Sequence, residues 1–507
     1  MTGVHEMPEA TATLPTCEVR TRQGTVRGVV RGGVRTFWGL RYAGPAVRFR
    51  RARPGPGWNG VFDATTPKAM APQAPFGGIF RTPPGGFSED CLYLNIHVPD
   101  EPSPTPRPVL VWIHGGAGGS GAANQYDGTA LARHGNLVVV TINYRLGGLA
   151  QLDVSAWGPE YQGSGDLAFY DQVAALEWVR DHIGAFDGDP EFVTIAGESA
   201  GAGSVVELCA SPVSAGLFRG AIASSAPALS DRRPGGHLEE LAKKLRLPPD
   251  RLQRRLVECS WPELLDLAAK ARGRREVAKT YLHGKVADLI AAKAERAPDL
   301  VIGYACHEGD SMEFLTRQGL RRLGPLAGPM LHLLMLQVVP HVAGGRDQRR
   351  EYLRRLRREH GVRYGARFND LVWTDLFRRG AVEAAEGAAR AGARAHVYEL
   401  DVPTVIAGQR MRSTHGVDIS LTFNCWRDPG AMDEPLTDDQ DAPALADRWV
   451  AMIAQFCRTG SADGPLGSWP AYDVAERPVL RVAPRESRIL RDPDPEYRQR
   501  VWPERAG

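Results

Sequence analysis

The stretch Val193-Thr194-Ile195-Ala196-Gly197-Glu198-Ser199-Ala200-Gly201-Ala202-Gly203 constrains this chain more than any other. Apolar and β-branched residues run into a Gly-x-Ser-x-Gly turn, and small residues follow. That order reads as a strand that ends, a reversal at Ser199 and a helix that begins at once. A serine on such a turn sits on strained backbone, its hydroxyl exposed above the sheet edge. Gly197 and Gly201 are needed because a side chain at either place would collide with the neighbouring strand or helix. The new helix aims free N–H groups and its positive dipole end at the hydroxyl, where negative charge would develop. Without its context the motif also fits a glycine-rich connection in any α/β protein.

The surroundings supply that context. Leu92–Ile96, Val109–Ile113 and Leu137–Ile142 read as strands, the last apolar enough for burial on both faces. Helical segments such as Leu167–Ile183 alternate with strands such as Val193–Ala196, the pattern of a mostly parallel sheet covered by helices. Short antiparallel strands precede it between Cys17 and Trp38, and residues up to about Thr16 read as frayed. Leu300–Gly303, Ala395–Leu400 and Val479–Val482 return to the sheet, and Pro443–Thr459 is a long helix opened by proline. Between them lie helical, charged stretches at about 230–298, where Leu238–Leu247, Asp250–Cys259 and Val277–Arg296 read as helices, and at about 313–394. With no repeats and no low-complexity linker, residues 17–507 are expected to form one α/β domain with two helical insertions.

Composition excludes several functions. A net charge of +3 over 507 residues argues against a dedicated nucleic-acid surface. The basic segment Arg349–Arg358 reads as an amphipathic helix with a solvated outer face. The longest apolar run, Met330–Val339, is too short to span a bilayer and reads as core or pocket lining. Seven scattered cysteines form no Cys-x-x-Cys pair and no metal cluster; without an export signal they fit a reducing cytoplasm. Cys306, beside His307, is the best cysteine nucleophile but ends an apolar run and suits core filling. Abundant arginine, alanine and glycine suggest a GC-rich bacterial source.

A serine hydroxyl needs a base within hydrogen-bond reach and a third group to orient that base. The histidine expected from chain order lies beyond the acid and after a late strand. His415 meets this, in a loop before Gly416. His396 lies in a strand, His307 abuts the acid, and His114 more naturally shapes the loop His114–Gly121. Glu308 leaves its strand first, before Gly309 permits a turn; Asp310 and Asp401 are reserves. The glycine-rich loop after Ile113 can donate backbone amides to an oxyanion and lacks the Gly-Lys-Ser/Thr ending of a phosphate loop.

These residues resemble the type-B carboxylesterases, which include para-nitrobenzyl esterases and cholinesterases. The likeness runs from about Cys17 to Tyr472 and rests on Ser88–Asn95, Gly197–Gly201, Asn143–Gly147, Asp187–Pro190 and Trp469–Asp473. It implies the α/β-hydrolase fold with helical insertions over the site, and a serine hydrolase cleaving carboxylic esters through an acyl-enzyme. Ser199 would be the nucleophile, His415 the base and Glu308 the orienting carboxylate. The amides of Gly116, Ala117 and Ala200 would hold the oxyanion, with Glu198 and Ser225 supporting the triad. The implied partner is a small-molecule ester, with no metal, cofactor, nucleic acid or membrane span; oligomeric state is not legible, and a monomer is compatible.

Departures from the family pattern are also legible. Ala71 replaces the cysteine that commonly pairs with the one at Cys91, and Gly118 replaces an aromatic after the oxyanion glycines. The latter should widen that wall. The loop between Gln73 and Ser88 carries no tryptophan for a cation site. Acyl transfer or lactone opening on the same triad is the main alternative. A non-catalytic interaction protein is disfavoured, because serine, acid and histidine are all retained.

Overall fold

Side chains along the central strands point alternately to two faces, and both faces are buried. In Arg107–Ile113, Val109, Val111 and Ile113 join one apolar cluster, whereas Leu110 and Trp112 join another. A strand apolar on both sides requires helices above and below it. The computed structural model describes residues 14–74, 82–229, 232–236, 238–293, 297–319, 327–343, 346–362, 364–406, 408–424, 439–491 and 501–502, and it supplies both layers. Of the stretch expected to be frayed, residues 1–13 lie outside this description, and Thr16 already opens a strand.

One 13-stranded sheet runs through the molecule. Its strands are β1 (Thr16–Thr21), β2 (Gly24–Arg31), β3 (Val34–Arg41), β4 (Val61–Asp63), β5 (Tyr93–Pro99), β6 (Arg107–Ile113) and β7 (Val138–Ile142). They continue with β8 (Gly188–Glu198), β9 (Gly220–Ser224), β10 (Asp299–Ala305), β11 (Ala395–Leu400), β12 (Pro478–Val482) and β13 (Arg488–Arg491). The spatial order is β1-β2-β3-β5-β7-β6-β8-β9-β10-β11-β12-β13, with β4 beside β2. From β7 to β12 all neighbours are parallel. Antiparallel strands close both ends. This is the mostly parallel, helix-covered sheet expected of the α/β-hydrolase fold.

The helices that bear on the site are α1 (Leu167–His182), α2 (Ala200–Ala210), α3 (Gly309–Gly319), α4 (Ala327–Ala343), α5 (Arg346–His360), α6 (Ala366–Arg390), α7 (Val417–Phe423) and α8 (Ala442–Thr459). Apolar residues of α1, α2 and α6, among them Leu176, Val205 and Ala381, cover one face of the sheet. Trp449 and Ile453 of α8 cover the other. A separate cluster joins Phe49, Leu149 and Leu152 to Leu241, Leu252, Leu256 and Leu264 of the first inserted stretch.

That stretch departs from expectation in one place. Instead of a helix over Val277–Arg296, Arg272–Ala278 pairs antiparallel with Arg232–Gly236, and among the described residues of that span only Val286–Ala291 is helical, residues 294–296 lying outside them. Gly284, at φ +128°, breaks helical continuity. Asp166 also draws Thr280 away from a helical path, accepting from its amide at 2.9 Å and its hydroxyl at 2.8 Å.

Loops at the carboxyl ends of β6, β8, β9 and β10 open on one edge of the sheet, where sites form in open α/β sheets. Beneath that edge Arg145, 1% exposed, clasps fully buried Asp171 through two contacts of 2.7 and 2.6 Å. Its other nitrogen donates to the carbonyls of Val47 and Arg50. Removing one partner leaves a buried charge unpaired, which costs about 3–5 kcal/mol. Arg145→Met is therefore expected to lower unfolding stability by about that amount in urea titration; a change under about 1 kcal/mol would refute this account.

Candidate active site

The turn after β8 is as tight as its sequence demands. Ser199 adopts φ 56° and ψ −123°, and its amide donates to the Ser224 carbonyl at 2.9 Å. A Cβ on Gly201 would lie 2.1 Å from the Ile113 carbonyl oxygen, and one on Gly197 would lie 2.7 Å from the same atom. Both glycines thus exist so that β6, β8 and α2 can meet under the serine. A non-glycine residue at such a φ carries about 1–3 kcal/mol of strain, sustained only by the structure around it.

Two distant loops converge on this hydroxyl. His415 Nε2 lies 2.8 Å from Ser199 Oγ, and His415 Nδ1 lies 2.6 Å from Glu308 Oε2. Glu308, fully buried, also accepts from Ser225 Oγ at 2.6 Å and from the Ala305 amide at 2.8 Å through its other oxygen. Ser225 itself is held at φ 53°, with its amide on the Gly303 carbonyl. Three residues separated by more than a hundred positions thereby form one continuous hydrogen-bonded line.

The acid and histidine loops are fastened to each other. The His307 amide donates to the Ser413 carbonyl at 2.9 Å, and the Ser311 amide donates to Thr414 Oγ1 at 2.8 Å. Gly309 matters for proximity: a Cβ there would lie 2.3 Å from Asp370 Cα of α6. Asp310, the reserve acid, is held by Arg412 at 2.6 and 2.9 Å rather than by His415. Among the described residues no contact joins Asp401 to His415; its amide donates to Val482. His307 pairs with Asp370, and His396 sits buried in β11. Burial pushes the Cys306 thiol up, so it stays protonated and is a poor nucleophile.

Charge around the imidazole is concentrated. Burial alone would lower the His415 pKa, but the Glu198 and Glu308 carboxylates outweigh it and push the group up to about 9. Glu198, with Oε1 at 3.2 Å from His415 Nε2, is raised to about 8 by burial, against the pull of His415. Such a pair titrates as a unit. A neutral Glu198 weakens the hold on the imidazolium, so more of His415 stands in the neutral form that can act as a base.

The loop after β6 is pinned by its own backbone and by Gln73. Gly116, at φ +106°, accepts from the amides of Gly119 and Ser120, and Ala117 follows at φ 54°. Gln73 clasps the far end at Gly121 through both its amide atoms, at 2.9 and 2.8 Å. His114 stacks on Tyr144 with centroids 4.3 Å apart, and burial lowers it to about 4, a neutral shaping residue. Among the described residues, the amides of Gly116 and Ala117 donate to no backbone carbonyl. Ala200 opens α2, so its amide cannot have an intrahelical acceptor. The wall at Gly118 is not open space: a Cβ there would lie 2.7 Å from Gln151 Nε2. The amide of Gln151 fills part of what the missing aromatic vacates.

Sequence reasoning missed two neighbours of the histidine. Asp418, in the first turn of α7, is buried and raised to about 6 by desolvation, despite a hydrogen bond from Ser224. Its position three residues after His415, on a helix starting at Val417, was the available signal. Phe377 of α6 stacks on the His415 ring with centroids 4.6 Å apart and planes 27° apart. Nothing local to Phe377 announces that contact. Among the described residues no cluster of three His, Cys, Asp or Glu side chains could hold a metal ion.

Comparison with known proteins places this chain in a family. The profile of the carboxylesterase family matches residues 15–498. A para-nitrobenzyl esterase of Bacillus subtilis (strain 168) is 45% identical over 213 residues, covering 41% of this chain and 43% of that esterase. Liver carboxylesterase 1 of Oryctolagus cuniculus is 28% identical over 536 residues, covering 93% of this chain and 90% of its own length. Among solved structures, a PNB esterase superposes with a TM-score of 0.78 at 28% identity, covering 96% of this chain and 99% of that one. The chain belongs to the carboxylesterase family and is a carboxylic ester hydrolase of the α/β-hydrolase fold.

Proposed function

We propose that Ser199, His415 and Glu308 are the catalytic triad of this hydrolase, acting on small-molecule carboxylic esters through an acyl-enzyme. The observation that carries this reading is the unbroken line of contacts, 2.8 Å from Ser199 Oγ to His415 Nε2 and 2.6 Å from His415 Nδ1 to Glu308. Ser199 Oγ attacks the ester carbonyl as its proton passes to His415 Nε2, and Glu308 stabilises the imidazolium. The amides of Gly116, Ala117 and Ala200 receive the oxyanion, each donor worth on the order of 100- to 1,000-fold in kcat. The tetrahedral adduct collapses, the C–O bond to the alcohol breaks, and Nε2 returns its proton to the leaving oxygen. Water then repeats the sequence on the acyl-enzyme, releasing the acid and restoring Ser199.

Glu198 and Ser225 act through the triad. Ser225 holds one Glu308 oxygen so that the other faces His415. Glu198 tunes how tightly the imidazole keeps its proton.

Ser199→Ala is expected to lower kcat on para-nitrophenyl esters by at least about 10,000-fold while circular dichroism and thermal midpoint stay unchanged. Retention of more than about a tenth of the activity would remove Ser199 from the mechanism. The pH dependence carries a sign. His415 must be neutral to act as base, so kcat/KM rises with pH through its ionisation. An anionic Glu198 favours the imidazolium, so Glu198→Gln should move the acidic limb of the kcat/KM profile to lower pH. A shift to higher pH would reverse the assigned electrostatics.

A further inference from the structure

Two features of the second inserted stretch take no part in the ester chemistry, and they lie side by side. Helix α4 buries Met335, Val339 and Val342, yet presents Met330, Leu333 and Leu336 outward, with Leu333 57% exposed. Those three recur at helical spacing along one face. Tyr364, 75% exposed, extends the same apolar edge, its ring facing His332 of α4. Contiguous apolar exposure of this kind marks a surface that is covered in use.

The neighbouring helix says by what. Within α5, Arg346–His360, seven arginines stand against three carboxylates. A chain whose whole net charge is +3 therefore concentrates its positive charge on one helix. Tyr352 and Leu356 turn inward, with Tyr352 Oη donating to Asp375 of α6, so the opposite face carrying Arg350, Arg354 and Arg357 is solvated. Arg350 and Arg354 are 71% and 75% exposed. Among the described residues Arg349, Arg357 and Arg358 have no carboxylate within ion-pair distance. Both helices lean on α6: Arg379 of α6 donates to the Val342 carbonyl of α4 at 2.9 Å. An apolar stripe beside a basic one is the signature of a surface that lies in a lipid–water interface, leucines in the acyl boundary and arginines among anionic headgroups. No helix among the described residues is long and apolar enough to cross a membrane.

We infer that the outward face of α4 and α5 docks on the surface of an anionic phospholipid membrane. A cavity of about 320 Å³ adjoins α4, lined by Met335, Val338, Trp373 and Leu376 together with the polar Thr316, Gln337 and His341. Docking would set that cavity against the bilayer surface.

Co-sedimentation of the full-length Ser199→Ala protein with phospholipid vesicles tests this, and the inactive variant keeps the result independent of the triad assignment. Binding is expected to vesicles of phosphatidylcholine with equimolar phosphatidylglycerol and not to phosphatidylcholine alone. It should weaken steeply as salt rises from about 0.1 M to about 1 M, where charge attraction is screened within about 3 Å. Each surface arginine contributes about fivefold in partitioning, so Arg350→Gln, Arg354→Gln and Arg357→Gln together should reduce binding on the order of 100-fold. Leu333→Ser should reduce it as well. In the Ser199 background, both variants should hydrolyse monomeric para-nitrophenyl acetate at the wild-type rate, which separates lost docking from lost folding. Absence of binding, equal binding to both vesicle types, or binding indifferent to these substitutions would overturn the proposal. So would light scattering in which Leu333→Ser converts a dimer to a monomer, since the face would then join two copies of the chain.

Discussion

A carboxylate with no solvent access governs the geometry of this molecule. Glu308 is fully buried, and a buried charge persists only when every oxygen is hydrogen-bonded or paired. Its partners come from β10 itself, from the strained residue after β9, and from a loop beyond β11. Meeting its needs fixes the relative heights of three strand ends. The parallel sheet supplies rigidity, but this acid sets how its edge is trimmed.

Charge economy around His415 follows from the same burial. Glu198 and Asp418 are carboxyl groups whose own desolvation pushes them toward the neutral form. Three acids near one imidazole would make an over-strong proton trap if all were ionised. Burial raises two of them, while Glu308 accepts hydrogen bonds from Ser225 and the Ala305 amide. Local environment thus divides labour among chemically similar groups.

How much of this was legible depended on the range of the interaction. The Ser199 turn is local and its motif is written within five residues, although the backbone that Gly197 and Gly201 make room for includes Ile113 of β6. Chain order brought out Glu308 and His415, because loops after parallel strands share an edge. Gly309, by contrast, reads in the sequence as a turn former, whereas in the fold it lets the acid loop touch the backbone of α6. The departure at Val277–Arg296 has a similar origin: side chains of Asp166 and Glu207, remote in sequence, hold Lys279, Thr280 and Tyr281 outside a helix. Phe377 was invisible because nothing near it in the chain refers to His415.

That aromatic contact has a kinetic consequence. With Phe377 stacked against one face and Glu308 bonded to Nδ1, the imidazole can neither swing out nor turn over without breaking both contacts. Exchanging the two nitrogens between one half of a turnover and the next would have to break both contacts. On the proposed mechanism, the proton taken from Ser199 and the proton handed to the departing alcohol would travel through the same atom, with no reset of the ring between acylation and hydrolysis.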